Sequence, residues 1–120
     1  MQQLLLIFLG GGLGSLCRYG VGRMIPHSAN FFYGTFTANV LSSIVLGIVA
    51  GLALKNVVSG DMRLFFITGF CGGFSTFSTF SAETLQLLEA GNYLAGFSYV
   101  LISVLTCVGC IFLGMRLVGG

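Results

Sequence analysis

The chain has no tryptophan, one proline, one histidine and three acidic side chains in 120 residues. Each scarcity excludes something. With one histidine and three carboxylates, no nucleophile–His–acid set assembles, and no phosphate-cradling glycine loop is present, so an enzyme is not expected. Five Lys/Arg are too few for the basic surface of a nucleic-acid binder. Charged residues total 7%, against about 25% in soluble domains, which excludes a solvated monomeric globule. Disorder is excluded from the other side, because 56% of the chain is hydrophobic. A chain poor in charge and rich in apolar residues belongs in a bilayer.

A membrane-crossing helix takes roughly 20 mostly apolar residues. The sequence divides into four, at about 4–24, 32–54, 62–88 and 93–117. The first ends at the polar turn Pro26-His27-Ser28-Ala29-Asn30, the second at 55–61 and the third at 89–92. Together they predict an all-α membrane protein, one integral membrane domain, with its chemistry in or beside the bilayer. Met1-Gln2-Gln3 lacks the basic head of a secretory signal, so the first span is expected to be a retained helix. No internal repeat is evident, which disfavours a fused inverted-repeat transporter.

Four spans place Lys55, Arg63 and Arg116 on one side and Arg18 and Arg23 on the other. An excess of one basic residue hardly specifies orientation. Two readings follow: a weak bias that suffices, or insertion both ways up followed by antiparallel pairing. Four small-residue-rich helices leave little room for a conduit among themselves, which favours a pathway between subunits, most simply of a two-fold dimer. Gly10/Gly14, Gly47/Gly51 and Gly69/Gly73 are small-xxx-small pairs that permit close helix approach.

The third span carries Gly69-Phe-Cys-Gly-Gly-Phe-Ser-Thr-Phe-Ser-Thr-Phe-Ser-Ala-Glu83. Gly72-Gly73 weakens helix, and the hydroxyl run after it competes for backbone hydrogen bonds and suits a cap. An interruption between Gly73 and Thr76 is expected. Irregular backbone at membrane depth is tolerated where it is buried in protein or lines a wet cavity. Beyond it, Phe77 and Phe80 share a face, with Ser78 and Thr79 beside them. The positive edge of an aromatic ring meets an anion without a competing full charge.

Polar stripes accompany this stretch. Thr35, Asn39, Ser42 and Ser43 recur at helical spacing in the second span, and Tyr99, Ser103, Thr106 and Cys110 in the fourth. Such stripes serve either as interhelical glue or as a narrow polar path, and two of them beside a broken helix favour the path. Glu83 and Arg18 are intramembrane charges and candidate vestibule groups, Arg18 as a source of positive potential. Cys17, Cys71, Cys107 and Cys110 are expected to act as small hydrophobes, since a zinc site needs further ligands.

With these residues in place, the chain resembles the Fluc/CrcB family of fluoride channels. The stretch from Gly69 to Glu83 is similar to the family's third-helix signature, Gly34-Thr-Phe-Thr-Ala-Asn39 to its second-helix motif, and Gly11-Gly-Leu-Gly-Ser-Leu-Cys-Arg18-Tyr to its first. The resemblance implies an antiparallel, dual-topology homodimer with two fluoride pores, in the plasma membrane of a prokaryote, passively exporting fluoride. Phe77 and Phe80 would form its aromatic box, Asn39 would contact the pore, Ser78 and Thr79 would continue the polar track, and Tyr99 and Ser103 would support it. A structural sodium ion on the dimer axis would be held by the backbone carbonyls of Gly72 and Ser75. Ser75 stands where the family often has threonine, and Cys107 where it has a small hydroxyl residue. Two other readings share the four-helix layout. A small proton-coupled multidrug exporter would need a first-helix glutamate, which is lacking here. A non-transporting assembly subunit would use its polar stripes only to join helices.

Overall fold

A computed structural model describes residues 1–26 and 30–119. His27, Ser28 and Ala29 of the predicted turn, with the single histidine, lie outside the described residues. Among the described residues, four helical segments are long and apolar enough to cross a membrane: Gln2–Met24 (α1), Tyr33–Leu54 (α2), Gly60–Glu89 and Tyr93–Gly119 (α6). The third is composite. It comprises Gly60–Arg63 (α3), a π-helical stretch Leu64–Cys71, Gly72–Phe74 (α4) and Phe77–Glu89 (α5). All regular structure among the described residues is helical.

Local chemistry accounts for the ends. The Ser59 hydroxyl accepts from the Met62 amide and starts α3. After α5 the chain turns through Gly91 at φ 80, a left-handed conformation natural to glycine. The Asn92 amide then donates to Leu87 O at 2.9 Å and Gly91 N to Leu88 O at 3.0 Å, closing the helix and sending α6 back. Asn92 also donates its side-chain amide to Asn30 Oδ1 at 2.7 Å, tying together the two turns at this end of the bundle.

An interruption is expected between Gly73 and Thr76; the structure has a bend there, and its cause differs from the expected one. Ser75 (φ −80, ψ 159) and Thr76 (φ −149, ψ 124) are extended, while Gly72 is helical (φ −62, ψ −35). The glycines therefore do not break the helix. Gly73 allows contact with α1: a Cβ there would collide with the Gly11 carbonyl and come within 3.1 Å of Gly11 Cα, while a Cβ on Gly72 would meet only Ile67 O at 3.9 Å. The hydroxyl residues make the bend. Thr76 Oγ1 accepts from Thr79 N at 3.2 Å and restarts the helix as its cap.

Two parallel helix pairs build the bundle. The α1 helix runs beside the first half of the third segment, from Gln2 near Asp61, through Gly10 against Gly69, to Arg18 at Gly73. The α2 helix packs most extensively on α6, with Thr35 beside Tyr99, Ser43 beside Cys107, Gly47 under Ile111 and Gly51 under Met115. Each predicted small-xxx-small pair lies at one of these two interfaces. The buried interior is sparse and partly polar: Ala38, Val49, Cys71, Phe74, Leu87 and Tyr99 with Ser42, Ser43 and Ser103. Large apolar side chains such as Leu4, Phe8, Phe97, Leu101 and Phe112 face outward, as lipid requires.

Candidate functional site

The bend leaves backbone groups that a continuous helix would have paired, and side chains from neighbouring helices take them up. Asn39 on α2 faces the extended residue Thr76. Its Oδ1 accepts from Thr76 N at 2.9 Å and its Nδ2 donates to Thr76 O at 3.4 Å. Arg18 on α1 donates from Nε to Gly73 O at 3.1 Å. Cys71 O accepts from Ser75 N, Ser75 Oγ and Ser42 Oγ. The Thr76 amide thus goes to Asn39 in place of Gly72 O, and the Thr79 amide goes to the Thr76 hydroxyl in place of Ser75 O. The carbonyls of Gly72 and Ser75 lose the partners that helical geometry would have assigned them.

Beside the bend a groove of about 260 Å³ opens between α2, α5 and α6. Asn39, Phe77, Phe80 and Ser103, four of the predicted path residues, border it together. Ser75, Thr76, Ser43, Val104 and Cys107 also border it, and among the described residues its wall carries no formally charged side chain. Phe77 and Phe80 are tilted at 46° with centroids 6.2 Å apart, and Phe80 rests on Tyr99 at 5.0 Å. Phe77 is 80% exposed, so most of its ring is open to contact from outside the chain. Ser103 is 4% exposed, yet its hydroxyl finds no hydrogen-bond partner among the described residues.

A second cavity, about 320 Å³, lies on the other side of Thr76. Arg18, Arg23, Ser15, Thr35 and Thr79 border it, so it is basic where the groove is neutral. Thr76 lines both spaces and separates them. Thr79 therefore belongs to the basic cavity rather than to the groove, and Ser78 is exposed and borders neither. Successive residues of α5 point about 100° apart, so Phe77, Ser78 and Thr79 cannot share one wall.

Glu83 is held from two helices. Thr35 donates its hydroxyl to Oε2 at 2.9 Å and Tyr99 donates its hydroxyl to Oε1 at 2.8 Å. Tyr99 is fully buried, edge-on to Phe31 at 5.0 Å. It is a wall behind Phe80 and an anchor for Glu83, not a lining residue of the groove. Glu83→Ala is expected to destabilise the protein by about 1–3 kcal/mol, because the buried Tyr99 hydroxyl loses its acceptor. Adding Tyr99→Phe to that variant should cost far less than Tyr99→Phe alone. Unfolding of the four proteins in detergent checks the cycle, and additive losses would deny the coupling.

Other groups sit where the helical stripes did not place them. In the fourth span Cys107, one turn after Ser103, faces the groove in place of Thr106 and Cys110. The Ser103/Cys107 spacing of four was the available signal. Ser42 turns from the path to Cys71 O, and Cys71 returns its thiol to Ser42 O at 3.5 Å. Cys17 is exposed rather than buried, on the outward face of α1. The role of Thr76 as the backbone partner of Asn39 had no signal beyond the hydroxyl run itself.

Comparison with known proteins places the chain in a family. The family model described as "CrcB-like protein, Camphor Resistance (CrcB)" matches residues 5–115. A protein of Gloeothece citriformis named fluoride-specific ion channel FluC is 43% identical over 120 residues, covering 98% of each chain. One of the same name from Pyrococcus abyssi is 44% identical over 118 residues, covering 98% of this chain and 96% of its own. Another from Thermus thermophilus is 42% identical over 121 residues, covering 99% and 97%. With four apolar spans, a bend braced by Asn39 and Arg18, and near-complete coverage at this identity, the chain belongs to the CrcB-like protein family.

Proposed function

We propose that the protein is a fluoride-selective channel that lets fluoride leave the cytoplasm passively and so lowers its toxicity. The observation that carries this reading is the neutral groove in which Phe77, Phe80, Asn39 and the unpartnered Ser103 hydroxyl converge, one residue away from a basic cavity. Fluoride is small and strongly hydrated. A path for it must replace lost water with donors, yet hold the ion weakly enough to release it. Arg18 and Arg23 raise the local anion concentration in the basic cavity. Beyond Thr76 the ion meets hydroxyls, an amide and ring edges, with no lysine or arginine to trap it. Relatives of more than 40% identity that carry the name fluoride-specific ion channel support the same assignment.

Purified protein in liposomes should pass fluoride at least about a hundredfold faster than chloride, a difference of roughly 3 kcal/mol in barrier. Ion-selective electrodes measure both. Equal rates for the two halides, or no fluoride flux, would end the proposal.

The working unit in this reading is an antiparallel homodimer of dual topology in a prokaryotic plasma membrane, with two pores. The near-even split of basic residues and the 80% exposure of Phe77 support it, since a ring so open in one chain is available to a pore shared with a second. A structural sodium ion at the dimer axis fits the backbone here. Sodium takes oxygen ligands, and the amides that helical geometry would give to the carbonyls of Gly72 and Ser75 are bonded to Asn39 and to the Thr76 hydroxyl instead. The ion would add a fixed positive charge where two bent segments meet. Replacing sodium with a large organic cation is expected to lower fluoride flux several-fold, while the Ser75→Thr variant, which leaves the carbonyl in place, should keep the sodium dependence.

A further inference from the structure

Cys107 is the lining residue of the groove whose chemistry the passage of a hard anion does not use. It stands one turn beyond Ser103, on the same face of α6, with its thiol in hydrogen-bond contact with Ser43 on α2. Ser103 adds an independent observation: it is 4% exposed, borders the same groove, and its Oγ has no hydrogen-bond partner among the described residues. A buried hydroxyl oxygen so placed has lone pairs to offer.

The other cysteines are placed differently. Cys17 faces outward, Cys71 is buried and engaged with Ser42, and Cys110 does not border the groove. No group of three or more His, Cys, Asp or Glu that could hold a metal exists among the described residues, so a zinc-type site is excluded there. One sulfur, with a neutral hydroxyl oxygen four residues before it on the same helix face, suits an ion that is content with few ligands and is held mainly by sulfur.

We propose that Cys107 Sγ and Ser103 Oγ form a binding site for a soft, thiophilic monovalent cation, of the class of silver(I) or copper(I), and that its occupancy blocks the groove. The cation takes the place of the thiol proton. A sulfur lone pair forms the metal–sulfur bond, the proton passes to water, and the metal keeps its oxidation state. Ser103 supplies the second donor without losing its proton. The bound ion stands between α2 and α6 at the level of Ser43, where it narrows the space and presents fluoride with a fixed charge. The blocking half of this proposal rests on the fluoride-channel reading; the binding half does not.

The test uses the full-length protein in liposomes, in chloride-free nitrate buffer, with silver nitrate as the probe. Silver fluoride is soluble, so the probe does not precipitate the permeant ion. Two quantities are read: protection of Cys107 from alkylation by N-ethylmaleimide, located by peptide mass, and fluoride efflux relative to each variant's own silver-free rate. Silver is expected to protect Cys107 and to lower efflux at least about tenfold, and excess dithiothreitol should reverse both. In Cys107→Ser the block should vanish, while Cys17→Ser and Cys110→Ser keep it. Ser103→Ala should raise the silver concentration for half-protection about tenfold. Unprotected Cys107, or undiminished block in Cys107→Ser, would overturn the proposal. So would loss of protection in Cys110→Ser, which would place the ion on the Cys107/Cys110 pair outside the groove, or an unchanged half-protection in Ser103→Ala. If no variant passes fluoride even without silver, the channel reading fails, and protection alone still decides whether the site exists.

Discussion

Asn39→Asp is expected to reduce fluoride flux by two to three orders of magnitude while leaving the protein folded. The carboxylate keeps one oxygen to accept from Thr76 N, now at 2.9 Å from Oδ1, so the bend retains its main brace. It loses the Nδ2 donor that faces Thr76 O at 3.4 Å and that also borders the groove. A full negative charge about 4–6 Å from a passing anion costs roughly 3–4 kcal/mol at an effective dielectric near 20. Each 1.4 kcal/mol is about a tenfold loss of rate. Asn39→Ala should fail differently. Both backbone groups of Thr76 then lack their partner within the membrane, at about 1–3 kcal/mol each, so lost stability should accompany lost flux. Flux in liposomes together with unfolding in detergent separates the two variants. A folded Asn39→Asp protein with ordinary flux would show that the groove is not the route.

The second large effect concerns the α2–α6 interface. Gly47→Leu should give no monodisperse folded protein. Even a single Cβ at Gly47 would meet Ile111 backbone, with Ile111 C and Cα each 3.0 Å away, and backbone cannot rotate aside. For Gly47→Ala two terms compete. Helix propensity gains about 1 kcal/mol, and overpacking costs about 1–3 kcal/mol or more when the obstacle is main chain. The second wins, so Gly47→Ala is expected to be less stable than the parent. Gly109 lies on the same helix as Ile111, but a Cβ there would have nothing within 4 Å. Only the propensity term acts at that position, so Gly109→Ala should be neutral or stabilising by up to about 1 kcal/mol. Equal stability changes at the two glycines would contradict the helix pairing. Because Asn39 and Ser103 border one groove across this interface, Gly47→Ala should also lower flux more than its stability loss accounts for.

These two regions differ in how much could be read in advance. Membrane residence, four spans and an all-helical fold follow from quantities that add along the chain: apolar content, charge content and length. The glycine pairs were legible as contact points because only a residue without Cβ lets two helix backbones touch. The hydroxyl run Ser75 to Ser81 marked the bend because serine and threonine satisfy freed amides locally, as Thr76 does for Thr79.

The assignment of each polar group was not additive. Spacing put Ser42 and Ser43 on one stripe, but Ser42 bonds Cys71 O and Ser43 faces Cys107, because the stripe is wide enough to touch two different helices. The family resemblance put Phe77, Phe80, Ser78 and Thr79 on one path, but the three-dimensional arrangement sends Thr79 to the basic cavity and leaves Ser78 outside both spaces. Gly72 and Gly73 looked like the cause of the bend, but Gly72 is helical and Gly73 proved to be a contact with α1.

Composition and order of residues were thus enough to dictate the solvent, the number of crossings and the few polar groups that had to find partners within them. Which partners those are came from the packing of the helices: Asn39 with the Thr76 backbone, Arg18 with Gly73 O, Glu83 with Thr35 and Tyr99, and Cys107 on the groove wall. The reason is geometric. A hydrogen bond needs its two atoms within about 3 Å, and that separation depends on which helices are neighbours and in what register, which neither residue encodes alone.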